Sequence, residues 1–393
     1  MVKNISWTVL SRFGTQGFAV ISNVLLARHL GREGFGEYAF ISSVVLIGNA
    51  FTTFGTDMVL IRRLAAEDGK SLLADGLSLQ LLFSLVYIAG VFATGIFITI
   101  PASLEIYIFS LLPLSFYSIF TIFLRSFREM RVFSIYQVFA AFLQFLVVIA
   151  AWLINAEITT LAALLLAVHF LLAFIAFNSQ SLQIGFAHIS LPRTLTLLKE
   201  CAPMAAIGTV RLLYEKITIT LLPGLAGLSL TGIFSASLRV MEAGKLGHLS
   251  AFTAIYPEMT RDGDFGRRLK GLRPLMILAG LISLTLSIFA GPIVRILFGV
   301  EFLPSIFPLQ ILAWVILPYV LVTYTSLGLV AAGAEKLVLF PLLISLTVLL
   351  FLFYVLTPLF GLTGSAIAIL FAETIHAALL WRQWRFHALS KLP

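Results

Sequence analysis

The chain has 393 residues, 60% hydrophobic and 11% charged, with net charge +8 and a mean hydropathy of +1.04. A soluble domain is about 45–50% apolar and about 25% charged, so this composition excludes a soluble enzyme, a disordered chain and a nucleic-acid-binding domain. The single cysteine, Cys201, excludes an intramolecular disulfide and a cysteine zinc cluster.

A helix needs about 20 mostly apolar residues to cross the hydrocarbon of a bilayer. Twelve stretches meet that requirement: 6–28, 36–61, 72–99, 104–125, 132–154, 158–178, 200–222, 231–256, 273–297, 304–332, 336–357 and 362–384. The first is too polar to be a cleaved signal peptide and is expected to be retained. Basic residues set the orientation. With the N-terminus inside, the inner connections carry Lys3, Arg62, Arg63, Lys70, Arg125, Arg128, Arg131, Arg193 and Lys199. They also carry Arg261, Arg267, Arg268, Lys270, Arg273, Lys336, Arg382, Arg385 and Lys391. The outer connections carry only Arg28, Arg32 and Arg295. Positive charge concentrates on the cytoplasmic side, which predicts both termini inside and an even number of spans. The run Arg261–Arg273 reads as a topology signal facing anionic lipid, not as a nucleic-acid site. Trp7, Trp381, Trp384 and Trp152 fall at predicted boundaries, where interfacial anchors belong. The outer connections are short, which leaves no external domain to hold a glycan acceptor.

The longest polar connection, 179–199, lies near the midpoint and reads as a short amphipathic helix in the interface. It divides the chain into six-span lobes at 1–178 and 200–393. An offset of 196 residues aligns the halves without a gap. Leu25, Leu26, Gly31, Gly36, Val44 and Gly48 fall on Leu221, Leu222, Gly227, Gly232, Val240 and Gly244. The match sits at the turn from the first to the second span of each half. With an even number of spans per half, the repeat is parallel, and its pseudo-two-fold axis runs along the membrane normal. In secondary transporters that arrangement places the substrate between the halves. The predicted fold is therefore an all-α polytopic membrane protein, with about twelve transmembrane helices in two pseudo-symmetric six-helix lobes around a central cavity.

Ionisable side chains within a bilayer are costly and are candidates for function. In the first span Arg12, Gln16 and Asn23 share a helical face; Arg12 either lines the cavity or snorkels to headgroups. Asp57, near the inner mouth of the second span, either serves ion coupling or pairs with Arg62 or Arg63. In the seventh span Gly208, Arg211, Glu215 and Thr218 form a stripe. In the eighth, Ser235, Arg239, Glu242 and Lys245 do the same. With Lys216 these charges sum to a net positive chamber suited to an anionic headgroup such as a lipid diphosphate, which arginine binds through several planar donors. The competing reading pairs Arg211 with Glu215 and Arg239 with Glu242 along their own helices, as neutralised structural contacts. Glu373 and His376, one turn apart in the last span, are either a proton or sodium relay or a buried hydrogen-bonded pair. His169, in the middle of the sixth span, reads as structural. No CxxC, HExxH, GKS/T or GxSxG motif occurs, so no catalytic residue, metal or cofactor is expected beyond a coupling ion.

The residues also carry a resemblance. LLARHLGREGFGEYAFISS (Leu25–Ser43), FGTDMVLIRRLA (Phe54–Ala65), PIVRILFGVEFLPSIFPLQILAW (Pro292–Trp314) and GLTGSAIAILFAE (Gly361–Glu373) resemble, in that order and spacing, segments of polysaccharide-biosynthesis flippases. These belong to the multidrug/oligosaccharidyl-lipid/polysaccharide exporter superfamily. The resemblance spans nearly the whole chain. It implies outward movement of lipid-linked oligosaccharides, such as O-antigen or exopolysaccharide repeat units, across a bacterial or archaeal cytoplasmic membrane. The implied partners are that lipid-linked substrate, membrane lipids and other membrane proteins of polysaccharide assembly. The fourteen-span lipid II flippases fit less well. A cation-coupled multidrug exporter of the same superfamily is the alternative; it calls for acidic residues in the chamber, against the basic excess here. A membrane glycan polymerase or ligase is a third reading, disfavoured by the short outer connections.

Overall fold

The computed structural model describes residues 2–64, 70–179, 191–261, 265–334 and 336–389. Among these residues all regular structure is helical. The helices are α1 (Val2–Thr53), α2 (Thr56–Leu64), α3 (Lys70–Thr94), α4 (Ala102–Tyr107), α5 (Leu111–Ser126), α6 (Met130–Leu153) and α7 (Ile158–Phe177). They continue as α8 (Leu191–Ala226), α9 (Leu228–Arg261), α10 (Phe265–Ile288), α11 (Ala290–Leu297), α12 (Ile306–Ala313), α13 (Ile316–Ala331) and α14 (Lys336–Leu389).

Seven helices, counting the α4–α5 run as one, are long and apolar enough to cross a membrane. Two of them are long enough for two crossings each: α1 is two helices joined at a kink at Gly31 and α14 two joined at Gly361, both with non-helical backbone. The α12–α13 pair, bent by 42°, forms another. α8 and α9 are long enough, at 36 and 34 residues, but charges interrupt their apolar stretches. Those charges include Arg211, Glu215 and Lys216 in one, and Arg239, Glu242 and Lys245 in the other. Together these segments account for the twelve crossings of a multi-pass membrane protein.

Two boundaries differ from the sequence reading. The second span does not run unbroken through 36–61, because Phe54 (φ 42) and Gly55 (φ 66) turn the chain between α1 and α2. Residues 191–199, the end of the central connection, are the first turns of α8; residues 180–190 lie outside the described residues. The described residues pack as two compact units, one of Met1–Leu30 with Glu37–Thr220, the other of Gly31–Gly36 with Leu221–Pro393.

The first unit is held by apolar packing and by hydroxyl and amide contacts between helices. Leu60, Leu73, Leu77, Ile119 and Phe120 form a buried cluster. Gly76 lets α3 close on α2, since a Cβ there would lie 2.6 Å from Leu60. Gln80 donates to Thr56 Oγ1 at 2.7 Å, and the Ser84 and Ser115 hydroxyls meet at 3.0 Å. Between helices in lipid, small residues and such polar pairs replace the hydrophobic drive available in water.

In the second unit Ser283 and Ser287 of α10 reach the Ala313 and Gln310 carbonyls at 2.7 and 3.2 Å, and Gln310 returns a bond to Ser287 O at 3.1 Å. Trp384 is 1% exposed, edge-on to Tyr324 and against Gly328. It is a core residue, not the interfacial anchor that its position near the C-terminus suggests. Trp152, by contrast, is half-exposed at the end of α6.

The internal repeat has a direct counterpart here. Gly31 and Gly227, its aligned glycines, both take a positive φ (65° and 85°), a conformation nearly closed to other residues. A Cβ on Gly36 would lie 1.9 Å from Leu228 O, and one on Gly232 would lie 1.8 Å from Arg32 O. Residues 32 and 228, and 36 and 232, are related by the same offset of 196. The contact is therefore self-complementary, as a two-fold axis requires.

Candidate functional site

In the first unit the charged side chains are set in different surroundings. Arg12 is exposed on α1. Asp57, at the start of α2, does not pair with Arg62 or Arg63; its partner is Arg125 of α5, at 3.9 Å. Arg63 engages Glu200 of α8 instead. On α8 itself Arg211 Nε lies 3.3 Å from Glu215 Oε1, an i,i+4 pair with side chains 65% and 46% exposed. The two share one charge pair along a single helix, and either partner can be drawn away by a ligand.

The start of α8 is fixed by contacts that the sequence did not reveal. Asp75 of α3 is fully buried and 3.1 Å from Arg193 Nε. Leu197 and Cys201 are buried in the same cluster as Leu72 and Leu73. Two ion pairs and an apolar stripe of period four thus seat residues 193–201 against α2 and α3.

In the second unit Arg239 Nη1 is 3.2 Å from Glu242 Oε2, an i,i+3 pair. Lys245, one further turn along α9, is partnered differently: its Nζ sits 4.3 Å from the centroid of the Tyr319 ring on α13. Glu373 and His376 are both buried in α14, 6% and 5% exposed, and both are engaged. His169 of the first unit is not alone: it lies 3.3 Å from Gln144 Nε2 and stacks with Tyr107.

Both intrahelical pairs follow from spacing along a helix, and both were readable in advance. Tyr319, Arg125 and Arg193 were not, because each meets its partner across a tertiary contact. No group of three His, Cys, Asp or Glu side chains among the described residues is placed to hold a metal ion. In the first unit α8 offers a guanidinium shared with a carboxylate. In the second, α9 offers another such guanidinium and an ammonium on an aromatic face. Cations of this kind are suited to an anionic ligand.

The sequence profile of the family described as Polysaccharide biosynthesis protein matches residues 1–261, well over half of the chain. The chain belongs to this polysaccharide biosynthesis family. Its fold is that of the multidrug and flippase transporters of the MOP superfamily. An inward-facing multidrug resistance MATE family transporter superposes with a TM-score of 0.78 at 13% identity, over 96% of this chain and 95% of that one. The lipid II flippase MurJ in an inward closed conformation gives 0.80 at 12% identity, over 97% and 87%. A MOP superfamily transporter from Pyrococcus furiosus, described by the reverse polarity of its binding pocket, gives 0.69 at 13%, over 98% and 96%. None of the curated proteins compared with this family member matches it significantly in sequence. On fold, the lipid II flippase fits as well as the drug exporter; part of its chain has no counterpart here.

Proposed function

We propose that this protein is a flippase. It moves a polyprenyl-diphosphate-linked oligosaccharide, a polysaccharide repeat unit, from the inner to the outer face of the cytoplasmic membrane by alternating access. The observation that supports this reading is the cationic balance of the charges that α1, α2, α8 and α9 hold within the crossings. Arg12, Arg211, Lys216, Arg239 and Lys245 stand against Glu215 and Glu242, because Asp57 is occupied by Arg125. The excess rises from +2, with Asp57 counted, to +3. A diphosphate is the group that such a surface attracts, and guanidiniums hold its oxygens while staying charged in a dry site. Membership of a polysaccharide biosynthesis family supports a glycan on the far side of that diphosphate.

In this reading Arg12, Arg211, Arg239 and Lys245 contact the headgroup, and Glu215 and Glu242 hold the arginines until it arrives. Glu373 and His376 are the coupling candidates for a proton or sodium ion. No covalent step is required. A cation-coupled drug exporter would need the opposite polarity. Both termini lie in the cytoplasm of a bacterium or archaeon, and the substrate enters from there.

Deletion of the gene tests the assignment. Lipid-linked repeat units should accumulate on the cytoplasmic face, and the corresponding surface glycan should disappear. Normal surface glycan together with new sensitivity to cationic drugs would refute the flippase and favour the exporter.

A further inference from the structure

Three charged residues of α9 lie three positions apart, Arg239, Glu242 and Lys245, yet their partners differ in kind. Arg239 shares its charge with Glu242. Lys245 sits over the Tyr319 ring, and among the described residues no carboxylate lies within ion-pair distance of it. An aromatic face attracts a cation through its quadrupole and carries no net charge. It fixes where the ammonium sits without neutralising it, and an ammonium keeps donors to spare for a second contact. A carboxylate partner does the reverse: it takes up both donors and charge.

The backbone provides for this placement. Gly244 precedes Lys245, and a Cβ there would come within 2.9 Å of Leu286 and 3.0 Å of Ile316. Its absence lets α9 close on α10 and α13, and Ile316 is one turn before Tyr319. Lys245 is half-buried, so its charge is only partly screened by solvent.

We propose that Tyr319 is a positioning residue that holds the Lys245 ammonium as an anion-binding group, and that Lys245, ahead of Arg211 and Arg239, supplies the charge that meets a diphosphate. The proposal rests on the flippase reading and sharpens it, since it names the cation that selects the headgroup. Phosphate oxygens are also offered by ordinary anionic phospholipids, and the test separates the two sources.

The purified full-length protein in phosphatidylcholine nanodiscs is titrated with a polyprenyl diphosphate. Wild-type protein should bind. Lys245→Met should weaken binding by at least about tenfold, as expected for a lost charge-assisted hydrogen bond. Tyr319→Leu should weaken it by about three- to tenfold, the range of a lost cation–π contact, and Tyr319→Phe by less, because the ring face remains. In the Lys245→Met background Tyr319→Leu should cost nothing more, since the tyrosine acts only through the lysine. A merely structural tyrosine would cost the same in both backgrounds, and that result overturns the proposal, as does unchanged binding by Lys245→Met. Each variant's thermal unfolding is measured alongside; an equal affinity loss from Tyr319→Phe and Tyr319→Leu, with folding intact, also overturns it. If phosphatidylglycerol in the nanodisc displaces the diphosphate one for one, the site is a phospholipid site and the diphosphate assignment falls. Failure of wild-type protein to bind at all refutes the flippase reading itself, a result distinct from any of these.

Discussion

Two ion pairs hold the start of α8, and they differ in burial enough to predict different consequences. Asp75 has no exposed surface, while its partner Arg193 is 46% exposed. Arg63 and Glu200 are each 33% exposed. Arg193→Ala therefore removes a cation from beside a fully buried carboxylate. A fully buried pair broken this way costs about 3–5 kcal/mol. With the arginine half in solvent, about 2–3 kcal/mol is the better expectation. Arg63→Ala should cost under about 1 kcal/mol. Cys201 is a native reporter of the difference, since it is the chain's only cysteine, fully buried, and part of the seated segment. If the segment opens locally, the rate of maleimide labelling tracks the opening equilibrium. The labelling rate should then rise about 30- to 150-fold in Arg193→Ala and less than about fivefold in Arg63→Ala. Asp75→Asn combined with Arg193→Ala should recover most of the protection, because no charge is left stranded. Equal labelling of the two single variants, or no recovery in the double variant, would refute the burial argument.

Gly36→Ala and Gly232→Ala should each destabilise the protein by more than about 2 kcal/mol in thermal unfolding, since a Cβ at either place meets a backbone carbonyl that cannot swing away. Gly208→Ala, with open space at its Cβ, is the control and should stay within about 1 kcal/mol, Ala being the better helix former. If Glu373 carries a coupling ion, Glu373→Gln should abolish gradient-driven transport in proteoliposomes while headgroup binding persists; full transport would leave Glu373 a structural residue. Arg239→Ala should reduce export, and Arg239→Ala/Glu242→Ala should recover protein abundance without recovering export; restored glycan export in the double variant would remove Arg239 from the binding surface. In a Cys201→Ala background, a cysteine replacing Phe127 should react only with reagent admitted to the cytoplasm, and one replacing Glu157 with external reagent; the reverse pattern would invert the assigned orientation.

What the sequence made legible follows the range of each physical signal. Hydrophobic length is local, so the twelve crossings could be read directly. The two stretches that became α8 and α9 were legible the same way, although each carries charges within its apolar run. Pairs three or four residues apart on a helix are local too, and Arg211–Glu215 and Arg239–Glu242 form as spacing alone predicts. The repeat offset was legible as identities, but its meaning was not. Only in three dimensions do Gly36 and Gly232 each meet the carbonyl one turn before the other, at Leu228 and Arg32. Partners joined by tertiary contact left no trace. Asp57 has two arginines within six residues, yet Arg125 lies 68 positions away and is the one α5 brings to it. Trp384 resembles a boundary anchor in one dimension and is buried against Tyr324 in three.

The same distinction bears on the candidate site. Composition treats every lysine and arginine in a span as an equal positive charge. The fold makes them unequal by what it sets beside each. Arg211 and Arg239 were the leading cations on the sequence because each lies within an apolar helix, yet a carboxylate on the same helix already engages each of them. To bind an anion they must first loosen that pair, and the exchange returns only the difference between two contacts. Among the described residues no carboxylate is paired with Lys245. Its aromatic partner sits on α13, 74 residues further along the chain, where no helical periodicity could point to it. A charge-neutral holder is the one kind of partner that orders a cation and leaves its charge for a ligand. That is why the residue with the plainest sequence signal need not carry the most binding energy, and why Lys245 and Tyr319 are the pair to test first.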